Sequence, residues 1–222
     1  MPDFLLIPGV LLLSYLIGSI PSGLIIVKIT TGKDIRTVES GRTGGTNAMR
    51  AAGFWAGLAT ALFDLLKASA AAWIAKAVFP LMVNPAYAWV HIFAPLFAIL
   101  GHNYSIFLAG RTEDGRFRLR GGAGGAPCVG GSFGLWAPSI FFILPLGAFV
   151  LFGVGYASLA TMSVALASTL IFAYRAWLGL SPWQYAVYGL VAEALLMWSL
   201  RPNIRRLLQG KERVIGWRAR QH

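Results

Sequence analysis

Apolar stretches about as long as a membrane-spanning helix alternate with short polar segments along the 222-residue chain. A spanning helix needs about 20 apolar residues, and the first stretch is predicted to form one helix despite Pro8 and Pro21. The predicted spans are residues 4–27, 54–79, 86–108, 124–137, 139–155, 157–178 and 181–200. The pattern therefore predicts an all-α integral membrane protein of about seven transmembrane helices, forming one polytopic domain over residues 1–222.

Basic residues fix the expected orientation of these helices. Most of the 19 Lys and Arg residues lie in residues 28–50, 111–120 and 201–220. Because basic loops stay on the cytoplasmic side, an even number of crossings must separate the second and third clusters. The apolar run that contains Pro138 is therefore divided there, which keeps the C-terminus in the cytoplasm. The first span precedes a basic loop, which places the N-terminus outside. A run that does not cross would instead give five helices.

Composition excludes several classes of protein. The chain is 57% hydrophobic and 12% charged, whereas a soluble domain is about 25% charged. A single cysteine, Cys128, excludes a disulfide scaffold. The net charge of +11 in an apolar chain indicates anionic lipid headgroups or phosphorylated substrates, and no nucleic acid partner is expected.

The first polar loop has the features of a phosphate site. SGRTGGTN, residues 40–47, combines glycines with hydroxyl and amide side chains, and a predicted helix follows. Glycines allow backbone N–H groups to approach an anion, and a helix N-terminus favours negative charge. Arginines at 36, 42 and 50 would add charge-assisted donors. The alternative is a flexible loop whose arginines only set the membrane orientation.

Two further polar segments have less specific patterns. RLRGGAGGAPCVGG, residues 118–131, is glycine-rich and precedes a predicted helix, which suits close approach to a phosphate or to another helix. It is not a Walker A loop, because no G-K-[ST] follows. Residues 110–117 are predicted to form a solvated hairpin or insertion. The tail RPNIRRLLQGKE, residues 201–212, is typical of an interfacial helix against anionic lipid.

Charged side chains also fall within the predicted spans. Asp64 and Lys67 share one helix face. Charges buried in a membrane are usually functional, and the alternative is an ion pair that only tolerates burial. His102 lies near the cytoplasmic end of its helix, where a structural hydrogen-bonding role is the commoner alternative. The polar segments are expected to meet at one inner-face site for a small phosphorylated substrate beside a hydrophobic co-substrate.

Several motifs occur in an order and spacing typical of one family: YLIGSIPSGLII (15–26), DIR (34–36), SGxxGxTNxxR (40–50), FDLLKA (63–68), GH (101–102), RGGxG (120–124) and NIRRLLQGKE (203–212). The chain resembles the bacterial acyl-phosphate:glycerol-3-phosphate acyltransferase family, PlsY. The resemblance implies a multi-pass enzyme of the bacterial inner membrane. It would transfer a fatty acyl group from acyl phosphate to the 1-hydroxyl of glycerol 3-phosphate, giving lysophosphatidic acid and phosphate, beside membrane lipids and without cofactor or metal. The oligomeric state stays open.

The resemblance also assigns site residues. The implied catalytic residues are Ser40, Arg50 and Asn203. The implied substrate-binding residues are Arg36, Arg42, Gly44, Gly45, Thr46, Asn47, Lys67, His102, Arg120, Gly121, Gly122, Gly124 and Arg205. Asp64 and Glu212 are implied to be structural.

This chain departs from the family pattern at three positions. Ala123 replaces a motif lysine, Leu200 replaces a histidine, and Arg42 replaces an asparagine and is a candidate to restore the charge lost at 123. These departures leave open a degenerate paralogue that binds phospholipid or lysophospholipid without turnover. A small anion transporter is less favoured, because no repeated halves occur.

Overall fold

A computed structural model describes residues 3–111 and 115–216. The described residues form nine α-helices and one two-stranded hairpin. The helices are α1 (Asp3–Ser19), α2 (Ser22–Thr31), α3 (Gly45–Ala52), α4 (Phe54–Val78), α5 (Ala88–Asn103), α6 (Gly125–Leu135), α7 (Ile140–Phe149), α8 (Ala157–Trp177) and α9 (Gln184–Leu208). Strands β1 (Ser105–Arg111) and β2 (Phe117–Arg120) pair antiparallel. Short 3-10 turns cover Ile35–Thr37, Pro85–Tyr87 and Ala137–Ser139, and a π-helical turn, Val150–Val154, extends α7.

The all-α class is confirmed apart from the hairpin. Within the described ranges, four stretches are long and apolar enough to cross a membrane: Asp3–Thr31, Phe54–Val78, Ala137–Val154 and Ala157–Trp177. Helices α5 and α6 have 16 and 11 residues. At 1.5 Å per residue they extend about 24 and 16 Å, less than the roughly 30 Å hydrocarbon core.

Several predicted boundaries were wrong, and α3 (Gly45–Ala52) forms within the predicted first loop. The span expected over residues 86–108 ends at Asn103, because the chain turns there into the extended strand β1. The tail does not form a separate interfacial helix, since α9 continues without interruption to Leu208. A hairpin does form around the segment expected at residues 110–117, through pairing of β1 with β2, and residues 112–114 of that segment lie outside the described residues.

The first predicted span is broken at Pro21, whose ring has no N–H to donate and ends α1. In a membrane the freed carbonyls need other donors. The ammonium of Lys67 donates to the carbonyls of Gly18 (3.2 Å) and Ile20 (2.8 Å), and the Ser105 hydroxyl donates to that of Ser19 (2.6 Å). The break therefore explains why a cation lies in the middle of α4.

Small residues bring the helices together closely enough to enclose a core. Helix α1 lies against α5 at Gly18, where a Cβ would overlap the backbone of Ala98. The main apolar cluster, among α5, α6, α8 and α9, includes Ile99, Phe172 and Tyr188. Large apolar side chains remain exposed on the outer faces, as a lipid-facing surface requires.

Candidate active site

A cavity of about 550 Å³ opens at one end of the helical bundle; we call it the main cavity. Its polar lining comes from the loop before α3, from helix ends and from the segment after α9. Those side chains include Ser40, Arg42, Asn47, Arg50, Asp64, His102, Asn203, Arg206 and Glu212. Its apolar lining comes from α4, α6, α7 and α8, through Leu58, Ala61, Val129, Leu144, Leu151 and Val164. The cavity therefore joins a charged region to a slot between membrane helices.

Two helix N-termini reach the main cavity. Gly44 caps α3 and Gly124 caps α6, and both line the cavity with the first residues of their helices. Gly124 adopts φ = 94°, a left-handed conformation that favours glycine. The first N–H groups of a helix have no intrahelical acceptor and carry partial positive charge. The two ends together form an anion-attracting wall.

Arg42 connects three segments beside this wall. Its Nη1 donates to the carbonyl of Gly122 (3.0 Å) and to Ser199 Oγ (3.0 Å), and its Nη2 donates to the Ser199 carbonyl (2.6 Å). Burial lowers the pKa of Arg42, although an arginine side chain is effectively always protonated in proteins. Burial likewise lowers the pKa of Arg50, and the negative charge of Glu212 opposes that shift.

Asn47 holds the loop that carries Ser40. Its side-chain amide donates to the carbonyls of Ile35 (3.2 Å), Val38 (3.0 Å) and Arg42 (2.9 Å). The side-chain N–H groups of Asn47 are therefore occupied by backbone carbonyls of the protein. The residue therefore shapes the loop from the wall of the cavity, while the exposed Ser40 side chain remains accessible at the opening.

Glu212 anchors the segment after α9. Its buried carboxylate accepts hydrogen bonds from Ser158 Oγ and from Asn203 Nδ2, the latter at 3.3 Å. Nearby, Arg213 forms an ion pair with Glu39. The backbone of Glu39 has φ = 49°, which is uncommon for a residue other than glycine. These contacts fix Asn203 relative to α8 and close one side of the main cavity.

A buried charge cluster lies at the inner wall. Lys67 Nζ is 2.7 Å from Asp64 Oδ1, and His102 Nδ1 lies 3.5 Å from the same oxygen. Asp64 and His102 line the cavity, whereas Lys67 lies behind them on the carbonyls freed at Pro21. Gly122 packs against the His102 ring so closely that any Cβ there would overlap it.

Comparison with known proteins identifies the family to which this site belongs. The family model described as glycerol-3-phosphate acyltransferase matches residues 9–210. The chain belongs to the glycerol-3-phosphate acyltransferase family. It is an acyltransferase and a multi-pass membrane protein.

Individual relatives support the same assignment. A glycerol-3-phosphate acyltransferase of Thermus thermophilus is 38% identical over 209 residues, covering 94% of this chain and 95% of the relative. One from Rubrobacter xylanophilus is 36% identical over 208 residues, covering 94% of each. The crystal structure of PlsY (YgiH), an integral membrane glycerol 3-phosphate acyltransferase, in its glycerol 3-phosphate form has a TM-score of 0.77 and 30% identity, covering 95% of this chain and 96% of that one. The lysophosphatidic acid form has a TM-score of 0.75 and 28% identity, covering 95% of each chain.

Most of the predicted site residues of this acyltransferase lie at the main cavity. They are Ser40, Arg42, Gly44, Gly45, Thr46, Asn47, Arg50, Asp64, His102, Gly124, Asn203 and Glu212. The structure also brings to the cavity Ala123 and Leu200, two of the positions where the chain departs from the family pattern.

Six predicted residues lie elsewhere. Lys67 is behind Asp64, and Gly121 and Gly122 lie behind the lining, where their carbonyls accept bonds from Thr43 N (3.3 Å) and Arg42 (3.0 Å). Arg36 and Arg120 line a separate pocket beside the hairpin. Arg205 is exposed on α9 and does not line the main cavity.

The sequence interpretation missed Arg206, which lines the main cavity in place of Arg205. Residues three apart share a helix face, so the distance from Asn203 would have selected Arg206. It also missed Ser158, the partner of Glu212, because nothing in a run of small and apolar residues distinguishes one buried serine.

Proposed function

We propose that this protein transfers a fatty acyl group from acyl phosphate to the 1-hydroxyl of glycerol 3-phosphate, forming lysophosphatidic acid and phosphate. One observation carries the proposal: a wall of two helix N-termini with Arg42, Arg50 and Arg206 continues into an apolar slot between membrane helices. Two anionic substrates need the cations, and the fatty chain needs the slot. The glycerol 3-phosphate and lysophosphatidic acid forms of a solved relative lend this support.

Each half of the main cavity has a role in this proposal. The phosphate groups bind at the N-termini of α3 and α6, with Thr46, Arg42 and Arg50 as donors. The acyl chain lies among Leu58, Leu144 and other apolar side chains of the slot. Arg42, bonded to the Gly122 carbonyl next to Ala123, supplies the cation for which the family uses a lysine at position 123.

The reaction needs positioning more than a strong base. The hydroxyl oxygen of the acceptor bonds to the acyl carbon, the bond from that carbon to the phosphate oxygen breaks, and phosphate leaves with the electron pair. The hydroxyl proton goes to the phosphate product or its hydrating water. Negative charge grows on the carbonyl oxygen and the leaving phosphate, where Arg50, Ser40 and Asn203, all lining the main cavity, would stabilise it as donors.

The proposal includes a membrane arrangement. Seven crossings by α1 with α2, α4, α5, α6, α7, α8 and α9 place the main cavity on the cytoplasmic side of the bacterial inner membrane, with the N-terminus outside and one domain over residues 1–222. Cysteines at Val83 and Lys33, both exposed, test it in whole cells. A membrane-impermeant thiol reagent should label Val83→Cys from outside and Lys33→Cys only after lysis. The reverse result would overturn the orientation.

The activity test uses purified protein in lipid with palmitoyl phosphate and labelled glycerol 3-phosphate, and palmitoyl-CoA in parallel. We expect labelled lysophosphatidic acid from acyl phosphate only, abolished by Ser40→Ala. Ser163→Ala is the matched control, since among the described residues that hydroxyl donates to its own helix, at the Leu159 carbonyl (2.8 Å). No product from either donor, with the protein folded, would overturn the proposal.

A second candidate, a binder of phospholipid or lysophospholipid without turnover, is favoured by one observation. Ala123 and Leu200, where the family has a lysine and a histidine, both line the main cavity. A binder with no turnover would lose only lysolipid affinity on the Ser40→Ala change.

A further inference from the structure

A second pocket lies outside the main cavity, between the first polar loop and the β-hairpin. It encloses about 310 Å³, and none of its described lining residues lines the main cavity. We call it the hairpin pocket. Its lining residues are Asp34, Arg36, Thr37, Leu108, Ala109, Gly110, Arg111, Arg118 and Arg120.

The charge of the hairpin pocket is strongly unbalanced. Among the described residues, Asp34 is the one acidic side chain that lines the pocket, and it pairs with Arg36, whose Nε and Nη2 donate to the two carboxylate oxygens at 3.0 and 2.7 Å. That hydrogen-bonded partner lowers the pKa of Asp34 to about 2, so the carboxylate stays ionised. The remaining arginines are Arg111, Arg118 and Arg120.

Nothing in the described part of the chain neutralises these three arginines. No carboxylate there lies within ion-pair distance of any of them. Like charges held in one pocket repel each other, and an anion placed among them removes that repulsion. Guanidinium groups match phosphate oxygens by paired N–H donors, so a phosphate group is the complementary ligand.

The same two strands carry exposed apolar side chains. Ile106, Phe107 and Phe117 are 44%, 58% and 67% exposed. Aromatic and aliphatic groups beside arginines are typical of a surface at the boundary between headgroups and acyl chains. The hairpin is held at that level of the bundle by the Ser105 hydroxyl, which donates to the Ser19 carbonyl where the first span breaks.

We propose that the hairpin pocket binds the phosphate group of an anionic phospholipid, held by Arg111, Arg118 and Arg120 while Phe107 and Phe117 contact its acyl region. Free phosphate shares the headgroup chemistry but has no acyl chain for the aromatic side chains. The hairpin pocket and the main cavity have no described lining residue in common, so the proposal does not depend on the donor or the product of the reaction.

The test measures the unfolding temperature of the detergent-purified full chain with added phosphatidylglycerol, phosphatidylcholine or inorganic phosphate. Phosphatidylglycerol should raise it by about 5 °C in the wild type, because a ligand of the folded state alone stabilises it. Arg111→Gln with Arg118→Gln should lose more than half of that rise. Arg201→Gln with Lys211→Gln, the matched control, removes equal charge from exposed residues that line neither pocket, and should keep it.

Three results would overturn the proposal. An equal rise with phosphatidylcholine would indicate unspecific lipid stabilisation. A full rise in the Arg111→Gln, Arg118→Gln variant would place the lipid elsewhere, including the main cavity. A rise with inorganic phosphate alone that this variant loses would assign the pocket to free phosphate. Arg111→Lys should keep more of the rise than Arg111→Gln, which separates lost charge from a disturbed fold.

Discussion

The main cavity and the hairpin pocket are both rich in arginine, yet they differ in how those side chains are held. In the main cavity Arg42 makes three hydrogen bonds to two segments and Glu212 is fixed by two donors. In the hairpin pocket the arginines are exposed, and Arg36 alone among those described has an ion-pair partner. Fixed donors suit transition-state stabilisation, whereas mobile cations suit capture of an anion.

The two sites also differ in how they are assembled. The polar lining of the main cavity comes from segments far apart in sequence, from Ser40 to Glu212, so its geometry depends on the packing of the whole bundle. The hairpin pocket comes from one loop and one hairpin. Substitutions in the main cavity should therefore alter folding and chemistry strongly, while those in the hairpin pocket should alter binding alone.

The largest effect is expected from Lys67→Met. The change leaves Asp64 charged and buried without its 2.7 Å partner and frees the carbonyls of Gly18 and Ile20. Breaking a buried ion pair costs about 3–5 kcal/mol of unfolding free energy. Denaturation in a mild detergent measures it, and Lys33→Met, at an exposed site, is the control. A loss below about 1 kcal/mol would contradict a fixed inner wall.

Arg50→Ala should have the next largest effect. Removing this half-buried cation from the cavity wall should lower turnover about 100-fold, the size seen for a lost oxyanion donor. The unfolding temperature with phosphatidylglycerol should rise as in the wild type, because Arg50 lies outside the hairpin pocket. Initial rates with palmitoyl phosphate measure the first effect. Loss of both properties in this variant would show that the two sites act as one.

Arg42→Ala tests whether this arginine replaces the family's lysine. The Gly122 and Ser199 carbonyls lose the guanidinium donor, although the Ser199 hydroxyl still donates to Gly122 (3.4 Å), and we expect a cost of about 1–3 kcal/mol of stability. The rate should fall about 10-fold or more. Adding Ala123→Lys to Arg42→Ala should recover part of the rate but little of the stability. If Ala123→Lys restores nothing, the cation at Arg42 is not a substitute for that lysine.

The sequence predicted the elements of this fold better than it predicted their ends. Hydropathy located the membrane helices, but periodicity alone gave no sign that residues 105–108 leave the helix for a strand. The glycine-rich segment before residue 124 located the N-terminus of α6. The N-terminus of α3 was missed, because the predicted helix began at residue 54 whereas α3 (Gly45–Ala52) forms within the predicted loop. Charge patterning did not separate Arg36 and Arg120 from Arg50, since net charge carries no information on which pocket a side chain faces.

Asp34→Asn should give the smallest effect and the sharpest contrast. It frees Arg36 from its partner and adds one net positive charge to the hairpin pocket. A cation at an anionic surface contributes about 1 kcal/mol, so the midpoint for phosphatidylglycerol binding should fall about 5-fold.

The folded-state pKa of Asp34 is lowered from 3.8 to about 2. The ion pair is therefore fully present above pH 3.8 and lost as the pH falls through about 2. The difference between wild type and variant should stay constant from about pH 5 to 8, and Asp3→Asn, in α1, is the control. If the acyltransferase rate changed in parallel with the midpoint of phosphatidylglycerol binding, the arginines of the hairpin pocket would be acting on those of the main cavity. The separate linings of the two sites argue against this.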